Sequence, residues 1–379
     1  MKLEKEAVYL LPLMVFLTYS TIYLYQNVFN DVPRDGDIEE WMYDVDAQTL
    51  TEYFDPLPRA GTAPTGTYYR PIQKIAWKIQ KDMWGPASPN YRIFWIFIHL
   101  TVSMLVYFFC RKLSLSQGAS FLSAILFSIL RVNVHIVKRE IAMAGHGLAS
   151  IFLLITFIFF IDYLRKKTWK HYFATLFLFT VTVLISESAM LLLGLFMLYH
   201  FYVEGEPLRK NNAKRMVRSY APFIAINLIL LFFSNMKYPT GFVANSWGGS
   251  QIGLYTIARA ADYATMLVFP FTQTEYIKTI LLYAVVALAW LTACKYRGLD
   301  RFLILWIILC ILPFSFSNFR GIEGLWRYLY FPSIGFAILT AKSVNELFMK
   351  RKIRLIAFYS LAFWAVNIGL LTGLIEATL

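Results

Sequence analysis

Apolar runs of about twenty residues recur from one end of the chain to the other, each long enough to cross a hydrocarbon core of roughly 30 Å. They predict membrane helices over 8–29, 91–110, 118–135, 142–164, 171–185, 189–202, 220–236, 276–294, 302–316, 328–344 and 353–378. That makes about eleven helices by hydropathy. The runs are continuous, not alternating, which excludes a barrel; only helices and closed barrels satisfy every backbone group in lipid. The pattern is that of one all-α, polytopic membrane domain over 1–379, with no internal repeat, no low-complexity tract and no soluble C-terminal domain. The first run exceeds a signal-peptide core and has no small-residue cleavage site after it, so it is expected to be a retained helix.

Short basic loops set the orientation. Arg111-Lys112, Arg165-Lys166-Lys167, 209–218, 295–301 and 350–354 alternate with the spans, so all of them face the cytoplasm together with the N-terminus. Segments 30–90, 236–275 and 317–326 then lie outside, with the turns around Lys138 to Glu140 and Ser186 to Ser188. Segment 252–271 is apolar, but Arg259 and Asp262 interrupt it and Pro270 ends it. Counting it as a span would turn every later basic loop outward, so it is expected to be an interfacial or re-entrant helix.

Composition sharpens the class. The chain is 58% hydrophobic, with a net charge of +13 and a mean hydropathy of +0.53, more apolar than a soluble domain. The cations flank membrane segments, which points to anionic lipid and away from nucleic acid. Cys110, Cys294 and Cys310 fall in apolar runs and suit buried side chains, with no disulfide framework or metal spacing. There is no P-loop and no dinucleotide-binding glycine turn.

Candidate chemistry gathers outside. The first outer loop opens with acids, among which Asp35-Gly36-Asp37 is the best pair for a general base. A carboxylate held at a membrane surface is partly desolvated, which favours proton uptake; the same charges also suit a solvated loop. The loop closes on Tyr69-Arg70-Pro71, after which Ile72, Ile75, Ala76 and Ile79 recur at helical spacing with Lys74, Lys78 and Lys81 opposite. This predicts an amphipathic interfacial helix whose lysines either snorkel or form a platform for a phosphate head group. Arg70, Lys74, Lys138, Arg139, Arg259, Arg320 and Arg327 run against the positive-inside bias. Each needs a local anion, a phosphate or an internal carboxylate such as Glu140, Asp262 or Glu187. Glu187 sits in an apolar hairpin and needs a cationic or hydrogen-bonding partner. His99 and His135 suit interhelical hydrogen bonds at least as well as catalysis. Arg327-Tyr328-Leu329-Tyr330-Phe331-Pro332-Ser333-Ile334-Gly335 opens a membrane segment with a cation, which marks a functional-site candidate.

Taken in order, these motifs resemble the GT-C class of integral-membrane glycosyltransferases. The closest likeness is to the membrane half of the transmembrane and tetratricopeptide-repeat O-mannosyltransferases and their bacterial relatives. The resemblance rests on the acidic first loop, Tyr69-Arg70-Pro71-Ile72, the run from Tyr91 to His99, Ser186-Glu187-Ser188-Ala189, Phe269-Pro270-Phe271 through Tyr276, and Arg327 to Gly335. It implies a sugar donor carried on polyprenyl phosphate, bound at the outer leaflet. Asp35 or Asp37 would deprotonate an acceptor hydroxyl on a protein, glycan or lipid. Arg327, Arg70 and Lys74 would hold the donor phosphate, while Glu187, Tyr330 and His99 would line the pocket. No protein metal site is implied, and a divalent cation is left open.

The chain departs from the family pattern. Gly36 separates the acidic pair, Arg92, Trp95 and Ser186 replace a histidine, an asparagine and a lysine, and Gly145-His146-Gly147 stands where the family carries other motifs. The repeats are absent. A non-catalytic membrane subunit or scaffold of a larger assembly is therefore the alternative, and a lipid-linked sugar transporter a distant third. Short loops and the absence of Asn-x-Ser/Thr favour a bacterial inner membrane over a eukaryotic endomembrane.

Overall fold

The computed structural model describes residues 10, 12–20, 49–55, 69–85, 88–138, 143–205, 210–237, 254–268, 298–316 and 326–349. These are helical, with no strand among them. In chain order they form α1 (Pro71–Trp84), α2 (Asn90–Lys112), α3 (Gln117–Ile129), α4 (Arg131–Lys138), a π-turn at Met143–Gly147, α5 (Leu148–Lys166), α6 (Trp169–Ile185) and a 3₁₀ turn at Glu187–Met190. Then come α7 (Leu191–Tyr202), α8 (Lys210–Lys237), α9 (Leu254–Val268), α10 (Leu299–Ser315), a 3₁₀ turn at Trp326–Leu329 and α11 (Tyr330–Met349). Three stretches are long and apolar enough to cross a membrane: Asn90–Lys112, Gly145–Lys166 and Val217–Ser234. The spans expected over 276–294 and 353–378, and most of 8–29, lie outside the described residues.

Two expectations are corrected. The segment 118–135 is two helices that break at Leu130. Helix ends leave carbonyls that must find donors in an apolar interior. Here Asn133 Nδ2 donates to Phe127 O at 2.7 Å, and His99 Nε2 reaches Ser128 O at 3.1 Å. The basic segment 209–218 is the first part of α8, which begins at Lys210. Helix α9 has 15 residues, too short for a full crossing. It packs against α10 and the Trp326–Leu329 turn.

The helix ends that carry basic residues meet at one end of the bundle. Lys112 pairs with Asp162 at 2.9 Å, Arg165 with Glu204 at 3.6 Å and Lys342 with Asp300 at 2.8 Å. Arg301 lies over the Tyr202 ring, 4.8 Å from its centroid. These contacts join α2, α5, α7, α10 and α11, as alternation of the spans requires. The core between the ends is aromatic: Phe157 stacks on Trp306 with centroids 5.7 Å apart, and Phe160 on Phe196 at 4.0 Å. Cys110 and Cys310 are buried free thiols.

Close approach of α10 and α11 depends on Gly335. A β-carbon there would stand 2.9 Å from Trp306 Cδ1, and that indole is fixed by donating to Phe331 O at 2.9 Å. Small residues at such crossings let helices pack in lipid. Gly335→Ala is expected to destabilise the protein by about 1–3 kcal/mol. Gly194→Ala meets the end of the half-buried Leu309 side chain at 2.8 Å, which can rotate away, and is expected to be milder. Thermal unfolding of the two variants in detergent checks the order.

Candidate functional site

At the other end of the bundle, α1 lies against α6, the Met143–Gly147 turn and α2. Pro71 starts it with φ already set for a helix. Its buried face is Gln73, Lys74, Trp77 and Gln80, spaced at three to four residues. Lys74 is only 1% exposed, and its Nζ lies 5.9 Å from the centroid of the Tyr53 ring. On the other side, Ile79 is 53% exposed, Met83 is also exposed, and Ile72 and Ile75 are half-buried. The sequence expects Lys74, Lys78 and Lys81 on one face of this helix; the structure buries Lys74 in the protein, while Lys78 is half-buried and pairs with the exposed Asp82 at 2.7 Å. Ile79 and Met83 stand on the exposed side beside Asp82, and Ile72 and Ile75 pack partly on the core.

Arg70 closes the start of α1. Its Nε donates to Glu187 Oε2 at 2.5 Å, and its Nη2 pairs with Glu187 Oε1. The fork is therefore bidentate. Both side chains are mostly buried, at 13% and 18% exposure. Among the described residues, Glu187 is a carboxylate that meets Arg70. The remaining guanidinium nitrogen, Nη1, faces Gln73 Oε1 at 3.4 Å and stands 3.6 Å from where a β-carbon of Gly145 would be. With Oε1 turned to Arg70, the Gln73 amide presents Nε2 near Gly145, 3.9 Å from that same position.

His146 follows on the π-turn. Its ring meets Tyr328 edge-on at 5.9 Å and Phe331 at 5.5 Å. Arg70 and Arg327 are both within electrostatic reach of the imidazole. Arg327 lies on the Trp326–Leu329 turn; its Nη2 donates to Tyr328 OH at 3.0 Å, and its guanidinium sits 4.9 Å from the Tyr328 ring centroid. Tyr328 is itself stacked on Phe314 at 4.1 Å. Arg70, Gln73, Gly145, His146 and Arg327, separate in the sequence, are thus brought together in one cluster at this end of the bundle.

Buried polar groups in this region remain to be satisfied. Gln73 Nε2, Trp77 Nε1, Trp95 Nε1, His146 Nδ1 and Ser186 Oγ have no hydrogen-bond partner among the described residues. Buried polar groups ordinarily find one in protein, water or ligand. Beside them, Tyr69 OH donates to Phe54 O at 3.1 Å. Burial and, secondarily, the Asp55 carboxylate push the Tyr69 phenol above its usual range, so it stays a donor at neutral pH.

The remaining candidates are placed differently. His99 Nδ1 is 2.8 Å from Tyr330 OH, and its Nε2 faces a carbonyl, which can only accept. Nε2 therefore carries a proton and donates to that carbonyl, while Nδ1 meets the phenol. Ser333 Oγ donates to Asn133 Oδ1 at 2.9 Å. His99, Tyr330, Ser333 and Asn133 form a buried network that joins α2, α4 and α11, and both imidazole nitrogens of His99 are used within it. Asp35 and Asp37 lie outside the described residues, as do Arg139 and Arg320. Among the described residues, no group of three or more His, Cys, Asp or Glu side chains could hold a metal ion.

Gln73 and His146 do not stand out in the sequence. Their signal is the polar stripe Arg70, Gln73, Lys74, Trp77 and the glycine-flanked histidine. Each stands out only once its burial is known. No protein-family model matches the chain, and no curated protein matches it either.

Proposed function

We propose that the chain is a GT-C-like polytopic protein of about eleven membrane helices that moves a sugar from a polyprenyl-phosphate donor to an acceptor hydroxyl on the non-cytoplasmic face. The observation that carries this is the burial of the cationic start of α1. Arg70, Gln73 and Lys74 are turned into the protein, and Arg70 and Arg327 both act on His146. Cations at a membrane boundary, facing a polar interior, suit a phosphate whose lipid tail remains in the bilayer.

In this reaction Asp35 or Asp37 takes the proton of the acceptor hydroxyl. The acceptor oxygen forms the new bond to the anomeric carbon as the bond from that carbon to the phosphate oxygen breaks. The electron pair leaves with the lipid phosphate, and Arg327 stabilises the charge that grows there. Arg70, held by Glu187, adds positive charge beside it. Lys74 adds positive potential from within the fold.

A non-catalytic subunit of a larger membrane assembly is the second possibility. The observation in its favour is that Arg70 is engaged by Glu187 and His99 by Tyr330, as in a site kept for structure alone. Sugar transfer decides between them. Vesicles containing the wild type and a mixture of labelled polyprenyl-phosphate sugars are expected to transfer label to an acceptor. Asp35→Asn or Asp37→Asn should retain donor binding and lose transfer by about 10²-fold or more. Transfer unchanged in both aspartate variants would remove the assigned base, and none in the wild type with a competent acceptor would favour the subunit.

A further inference from the structure

Two polar groups at this site, Gln73 Nε2 and His146 Nδ1, are left without a hydrogen-bond partner among the described residues. Gln73 is fully buried and His146 is 7% exposed. The Gln73 amide is oriented, because Arg70 Nη1 approaches its Oε1 and leaves Nε2 as a donor beside Gly145. The His146 ring is oriented too, wedged edge-on against Tyr328 and Phe331. One presents N–H donors. The other offers an imidazole nitrogen, an acceptor in the tautomer protonated at Nε2. Gln73 on α1 and His146 on the π-turn both lie close to Arg70, and Arg327 also acts on the imidazole.

A second phosphate would be matched by a further cation. A neutral donor beside a neutral acceptor is matched by an alcohol, which accepts one hydrogen bond and donates another. We propose that Gln73 and His146 bind the glycosyl group of the donor beside its phosphate, with a sugar hydroxyl accepting from Gln73 Nε2 and donating to His146 Nδ1. They are the residues that select the sugar. The inference rests on the lipid-phosphate function proposed above and deepens it. Sites that hydrogen-bond a substrate hydroxyl reject analogues lacking it, because buried polar groups are then left unpaired.

Binding separates the two contributions. The probes are a short polyprenyl phosphate and the same lipid carrying a hexose, added to the full-length protein in nanodiscs. Wild type is expected to bind the glycosylated lipid about tenfold more tightly than the bare phosphate, corresponding to one or two net hydrogen bonds. Gln73→Ala and His146→Ala should erase that difference while leaving bare-phosphate affinity within about twofold, well under one hydrogen bond's worth. His146→Asn, which keeps a polar atom near the Nδ1 position, should recover part of it; a set of deoxy-hexose lipids should show one hydroxyl whose removal mimics Gln73→Ala. Arg327→Ala should weaken both lipids together.

Equal affinity of wild type for the two lipids would overturn the sugar assignment while leaving the phosphate site standing. So would parallel loss of both affinities in Gln73→Ala and His146→Ala, which would mark them as structural. Binding of neither lipid by the wild type would overturn the phosphate function and this inference together.

Discussion

Arg327→Ala is expected to weaken binding of a polyprenyl-phosphate sugar by roughly 10- to 100-fold, the range for losing a hydrogen bond to a charged group. The fold should tolerate the change, because Arg327 is only half-buried and its described partner, Tyr328, keeps its own stack on Phe314. Arg327→Lys retains the charge without the planar fork and is expected to recover part of the affinity. Titration of the lipid into nanodisc-held protein, with thermal unfolding as a control, measures both. If Arg327→Ala bound the donor like the wild type, the phosphate would lie elsewhere and the start of α11 would be structural.

The second large effect concerns stability. Removing Glu187 strips a mostly buried guanidinium of its bidentate carboxylate, and breaking a buried pair from one side costs about 3–5 kcal/mol. Glu187→Ala is therefore expected to unfold well below the wild type. Arg70→Met combined with Glu187→Met should be closer to wild type, since apolar replacement of both partners is often neutral. A double-mutant cycle in detergent provides the test. Additive single losses would show that the two side chains do not support each other. Coupling would show that the pair pins α1 to the turn before α7. On that account Arg70 serves first to place the polar face of α1.

What could be read from the sequence follows physical scale. Helices such as Asn90–Lys112 and Gly145–Lys166, long and apolar enough to cross a membrane, show as apolar runs because lipid imposes its demand on every residue. The break at Leu130 does not show: Leu130-Arg131-Val132-Asn133 contains neither glycine nor proline, and the freed carbonyls are satisfied by Asn133 and by His99 from another helix. The periodicity of α1 was visible, but which face is buried depends on what surrounds the helix, and a polar face can turn either way. Glu187 plainly needed a cation; that Arg70 supplies it, 117 positions earlier, is a matter of tertiary packing. Arg327 was legible as a cation at a membrane boundary. Gln73 and His146 were not, because neutral side chains carry no electrostatic penalty that marks them before their burial is known.

The most direct measurement is the position of the donor. A polyprenyl-phosphate sugar with a photoreactive group near its phosphate would be cross-linked to the protein in nanodiscs, and the labelled peptides mapped. Label is expected on the Met143–Gly147 turn, the Trp326–Leu329 turn and the start of α1, competed away by unlabelled glycosylated lipid. Label confined to the exposed side of α8, around Leu228 and Phe232, and indifferent to competitor would mean that the lipid meets this protein only as solvent, and would contradict the proposed donor site.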